Sequence, residues 1–178
     1  MNARNHSAAG AKAATESLEK LRLKTARKRL AASRNQQDAL EGLREIVGTM
    51  LGSEEIGLFT LDGQTKRFRV LWSFGIDLEG YDLRKSLGDS GHQRIMQGEY
   101  HVDLGARHHS GKGATIQAFV PISIHGRTVA VLAILRLLPQ KNGFDKSDFQ
   151  LFQLLTHEAG VALFGGNVPP NSRMSGRK

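Results

Sequence analysis

The chain has 178 residues, 39% of them hydrophobic, a formal net charge of +8 and no cysteine. This length suits one domain with an extension. The lack of cysteine excludes disulfides, zinc–thiolate sites, thiol nucleophiles and cysteine-linked chromophores. No apolar run approaches the roughly 20 residues that cross a bilayer; the best candidate, 129–138, is short and contains Arg136.

The charge is unevenly placed. Residues 1–34 hold nine cations and two anions, residues 167–178 hold three cations, and residues 35–166 are left at −2. The basicity therefore belongs to the ends, so any nucleic acid, anionic lipid or acidic partner is expected to engage the tails, a nucleic acid through residues 1–34. Residues 1–14 lack the apolar centre of a signal peptide and read as disordered. A soluble, cytoplasmic protein is expected.

Helix formers dominate from about Thr15, with Ser17 as a weak cap. Five cations, Arg22, Lys24, Arg27, Lys28 and Arg29, fall within the ten residues 21–30. Like charges at i and i+4 oppose an isolated helix, so this segment needs a partner: a second copy in a coiled coil, an acidic protein or a polyanion. No aromatic residue stands among the cations to stack on bases. Beyond a joint near residues 33–35, Leu40, Leu43, Ile46, Val47 and Leu51 form an amphipathic face. The second half is expected to pack on the domain and the first half to project from it. Gly52 ends the helix.

Residues 55–62 and 66–74 read as strands joined at Asp62-Gly63, a two-residue turn signal. Asp89 or Ser90 caps a short helix that turns Ile95 and Met96 inward. Residues 99–104 form a short strand and residues 105–113 a glycine-rich loop. Residues 114–125 and 127–138 form the strongest strand pair, turning at Gly126, with Pro121 at an edge-facing or bulged position. A last helix opens with Phe144 as staple and Asp145 as N-cap, and the tail 167–178 reads as disordered.

This order predicts an α/β fold of the α+β kind: an antiparallel sheet with the terminal helices on one face and loops with a short helix on the other. Residues 85–91 (KSLGDSG) with 94–104 (RIMQGEYHVDL), then 118–134 (AFVPISIHGRTVAVLAI), then 144–155 (FDKSDFQLFQLL) resemble, in order, three stretches of the GAF domain, a small-molecule-sensing and dimerising module. The resemblance spans about 37–165 and divides the chain into a basic extension (1–36), a GAF-like domain (37–166) and a tail (167–178). It implies a ligand site lined by Trp72, Phe74, Ser90, His92, His101, Asp103, Gln117 and Phe119, with no catalytic residue, no metal and no cofactor. Lys141-Asn142 reverses the order of the cyclic-nucleotide signature, so no cyclic nucleotide is implied.

The expected function is a regulatory signalling module, not an enzyme, that binds a small ligand or another signalling protein and forms a homodimer through its helices. Two other readings stay open. One is an adaptor whose pocket is filled by its own side chains and whose basic helix, through Arg22, Lys24, Arg27, Lys28 and Arg29, meets an acidic protein or nucleic acid. The other is a small metal-dependent enzyme using His92, His101, His108 and His109. Ser90 in Gly-Asp-Ser-Gly lacks the strand-to-turn setting of a nucleophile. Asp145, Asp148, Glu54 and Glu55 read as solvated helix and strand ends.

Overall fold

The computed structural model describes the backbone of residues 3–102 and 116–165, and side chains within that range from residue 14 onward. Helices α1 (Ala3–Ala31) and α2 (Gln36–Ile46) come first. The Asn35 side chain caps α2 by accepting from the Asp38 N–H at 2.9 Å, satisfying one of the helix's orphan donors. A π-helical turn, Val47–Leu51, follows and stops at Gly52. The helix break at 32–35 and the stop at Gly52 match the expectation. The start does not, because helix begins at Ala3, ahead of the expected Thr15.

Strands β1 (Ile56–Leu61) and β2 (Phe68–Phe74) form the first hairpin. Its connection is not the two-residue turn expected at Asp62-Gly63. The Lys66 N–H donates to the Asp62 carbonyl and the Asp62 N–H to the Arg67 carbonyl, both at 2.9 Å. The Asp62 carboxylate accepts from the amides of Gln64 and Thr65, and Lys66, at φ 56°, takes the left-handed position. An aspartate that captures two following amides favours this wider turn over the tight one.

Helix α3 (Leu83–Met96), β3 (His101–Val102), β4 (Ala118–Ile124), β5 (Arg127–Ile134) and α4 (Lys146–Phe164) complete the order. The β4–β5 connection is the pair His125-Gly126, with φ of 50° and 74°; positive φ at both positions is what a type I′ hairpin turn requires. Pro121 lies beyond the β3 pairing, which ends at Phe119, and next to a register shift at Ile122/Ser123. Its missing N–H fits there.

All pairings are antiparallel, in the order β2-β1-β5-β4-β3. Strand alternation separates two apolar layers. Ala130, Leu132 and Ile134 of β5 join Ile56, Leu58, Val120 and Ile122 beneath α2 and α4. Val131 and Ala133 face the other way, with Phe59 and Phe119, against Leu83, Leu87 and Ile95 of α3. The expected architecture is therefore observed. The first half of the leading helix departs from it. Ala26 and Leu30 are buried in the helix-side core, so the C-terminal part of α1 lies against α4 and α2 and does not project.

Candidate functional site

The eight expected ligand residues do not line one pocket. On β2, Trp72 pairs with Leu58 and Phe74 with Ile56, and both partners belong to the helix-side core. Trp72 and Phe74 therefore face the helices, stacked at 6.4 Å, with the Arg44 guanidinium 4.8 Å from the Phe74 ring centre. The sheet divides them from Phe119, which is buried on the α3 side. A register shift at Leu58/Phe59 changes which β2 residues face the helices, and sequence alternation alone cannot place it. Asp103, His108 and His109 lie outside the described residues.

The α3 side does gather four residues around the expected place. His101 stacks on Phe119 at 6.0 Å, and a Cβ at Gly91 of α3 would lie 3.3 Å from the His101 ring. His92 meets Phe68 edge-on at 5.9 Å. Among the described residues the buried Nδ1 of His101 has no hydrogen-bond partner. Burial, with Arg84 nearby, holds the His92 imidazole below its usual pKa, against a smaller opposing pull from Asp89. Helix α3 has Asp82, not Asp89 or Ser90, at its N-cap. Its backbone breaks at Gly88 (φ 62°, ψ −175°), and Ser90 sits exposed on the segment beyond. The Gln117 N–H donates to the Ile134 carbonyl at 2.7 Å. Much of the layer between α3 and the sheet is occupied by Phe59, Leu78, Leu87, Ile95 and Val131. No cluster of three metal-ligating side chains occurs among the described residues.

The basic helix is likewise divided by the fold. Arg22 donates to the Asp148 carboxylate at 2.6 Å, to the Ser147 hydroxyl and to the Met50 carbonyl. Arg29 bridges Asp38 at 3.2 Å and Glu45 at 2.8 Å. These two cations hold α1 to α4 and α2. Arg27 pairs with Glu158 at 3.0 Å across exposed surface. Lys24 and Arg27 open onto a cleft between α1 and α4, and Lys28 is solvent-exposed.

Asp148, expected to be solvated, is fully buried. Its second oxygen meets Lys141 Nζ at 2.7 Å and accepts from the Asp145 N–H at 3.0 Å, while the Asp145 side chain accepts from the Asp148 N–H, closing a capping box. One carboxylate thus joins α1, the 141–145 connection and the start of α4. The Asp-x-x-Asp spacing at 145 and 148 was the available signal for the box. Nothing local in the sequence points to Arg22, 126 positions away.

No family model matches the chain, and no curated protein matches it. Solved structures do. The chain is similar to the GAF domain of a phosphoenolpyruvate-protein phosphotransferase from Acinetobacter, at 17% identity and a TM-score of 0.59 over 82% of this chain and 92% of that one. The GAF domain of the corresponding phosphotransferase from Coxiella burnetii shares 18% identity, with a TM-score of 0.58 over 83% and 96%. The GAF domain of a potassium sensor histidine kinase from Escherichia coli shares 14%, with a TM-score of 0.50 over 80% and 91%. The chain has a GAF-like fold, as the sequence resemblance implies.

Proposed function

We propose that this chain is a non-catalytic regulatory module that binds a small ligand or a signalling partner on the α3 side of its sheet, dimerises through its helices, and reports binding through the position of α1. The Asp148 junction is the observation that carries this reading. A displacement of the β5–α4 connection moves Lys141 and Asp145, and both share their carboxylate partner with Arg22 of α1. A ligand that favours one arrangement of this junction shifts the helix in proportion to its differential affinity. The proposed ligand residues are His92, His101 and Phe119, with Phe68 added and Trp72 and Phe74 left out. The buried Nδ1 of His101, without a hydrogen-bond partner among the described residues, supports a polar ligand there.

Native mass spectrometry of the full chain tests both parts of this reading. The expected species is a dimer that retains a small molecule, lost on His101→Ala. A monomer with no retained mass that also releases none on denaturation would sink it. Stoichiometric metal retained by the chain and lost on changing His108 and His109 would favour the metal-dependent enzyme instead.

A further inference from the structure

On the helix side of the sheet, away from His92 and Phe119, lies a cleft of about 970 Å³ between α1, α4 and the turn that leads into β3. Lys20, Lys24 and Arg27 form its α1 wall, and Arg94 faces them from the end of α3. At i, i+4 and i+7 the three α1 cations share one helix face, rising about 6 Å and about 10.5 Å along the axis. Glu158 and Glu99 are the carboxylates of the lining; they sit on Arg27 at 3.0 Å and on Arg94 at 3.4 Å. Lys20 and Lys24 have no hydrogen bond or ion pair among the described residues. At i and i+4 they repel one another.

We propose that this cleft binds a small phosphate-bearing molecule of nucleotide size. A concave wall of like charge concentrates its field on the space it encloses. Small-ligand sites measure about 300–1,000 Å³, and the cleft falls at the top of that range. Two ammonium groups, beside two guanidiniums that are each shared with one carboxylate, over about 10 Å suit several phosphate oxygens better than one carboxylate. Leu23 and Leu154 give the floor an apolar part for the rest of the ligand.

The same geometry disfavours nucleic acid. Arg22 and Arg29 are withdrawn into ion pairs with Asp148, Asp38 and Glu45, so among the described residues the basic strip of α1 at the cleft is the short run Lys20, Lys24 and Arg27, about 10 Å long, which matches few phosphates of a nucleic-acid backbone. A ligand in the cleft touches α1, α4 and the α3–β3 turn together, and thereby fastens the docked helix. This proposal does not depend on the α3-side ligand.

The test is a titration of the full-length, nitrogen-15-labelled chain with sodium tripolyphosphate, followed by amide shifts. Saturable shifts are expected at residues 20–27, 94–100 and 150–158. Lys20→Glu combined with Lys24→Glu should weaken binding at least about tenfold, since two attractions become repulsions. Both side chains are exposed, so the fold should survive, and unchanged amide dispersion checks it. Glu158→Gln should tighten binding about threefold by freeing Arg27. Lys28→Glu, on the same helix but outside the cleft, should change it less than about twofold. Absence of saturable shifts would overturn the proposal. So would equal weakening by Lys28→Glu and Lys24→Glu, or binding of an oligonucleotide duplex without response to tripolyphosphate.

Discussion

Asp148 is a carboxylate with 1% of its side chain exposed, held between two cations that are each about one-fifth exposed, Arg22 at 19% and Lys141 at 20%. Removing one partner from a buried pair costs about 3–5 kcal/mol because the other charge stays buried. Here the cations keep some access to water, which places Asp148→Asn at about 3 kcal/mol, read from urea unfolding. A cycle with Arg22→Met should show coupling above about 1 kcal/mol. His92 sets a pH dependence. Its folded pKa lies below the ordinary 6.5, so the unfolded chain takes up the proton first as pH falls. The stability associated with neutral His92 is complete above about pH 6.5 and declines as pH drops from there toward the folded pKa. The urea midpoint should fall between pH 7 and 5, and His92→Asn should flatten that slope. Asp145 acts in a lower window: the Ser147 hydroxyl, first among several donors, depresses its pKa, so its contribution is lost only as pH falls below the ordinary carboxylate range.

Helix α4 shows an element governed by a contact the sequence hides. Its cap was legible, since Asp145 follows Phe144 and precedes an apolar pattern. Gly160 was not. A Cβ there would lie 2.3 Å from the Ser123 carbonyl oxygen of β4. In an open helix Gly→Ala gains about 1 kcal/mol. Against backbone at that distance the helix must move, at about 1–3 kcal/mol, and the clash wins. Gly160→Ala is expected to lower the urea midpoint, and an unchanged or higher midpoint would show that α4 rides further from the sheet. Helix α1 was misread for a related reason. It docks through Ala26 and Leu30 with Arg22 and Arg29 at the margins, a narrow stripe mixed with charge, and not the broad apolar face that signals burial. The sheet order was readable because β4 and β5 carry dense β-branched alternation about a tight turn. The expected ligand residues Trp72 and Phe74 were put on the wrong face because a β2 register shift, invisible in composition, changed which residues face the helices.

For the molecule as a whole, the two proposals make opposite demands on salt. Leu18 and Leu21, at i and i+3 on α1, are 66% and 58% exposed, and Val161 of α4 is 63% exposed; these are the apolar residues offered to the proposed dimer. Leu18→Glu with Leu21→Glu should convert a dimer to a monomer, measured by light scattering over a range of concentrations, with little change in Tm because neither side chain is part of the core. The same helix lies in a segment carrying +7 over residues 1–34, so two copies brought together repel one another. Salt shortens the Debye length from about 10 Å at 0.1 M to about 3 Å at 1 M. Raising it should therefore strengthen dimerisation. Tripolyphosphate binding to Lys20, Lys24, Arg27 and Arg94 is an attraction between opposite charges and should weaken over the same range. If both equilibria moved in the same direction with salt, the cations of α1 would be acting as one diffuse field, and the division of that helix into a docked edge, a phosphate cleft and a dimer face would not hold.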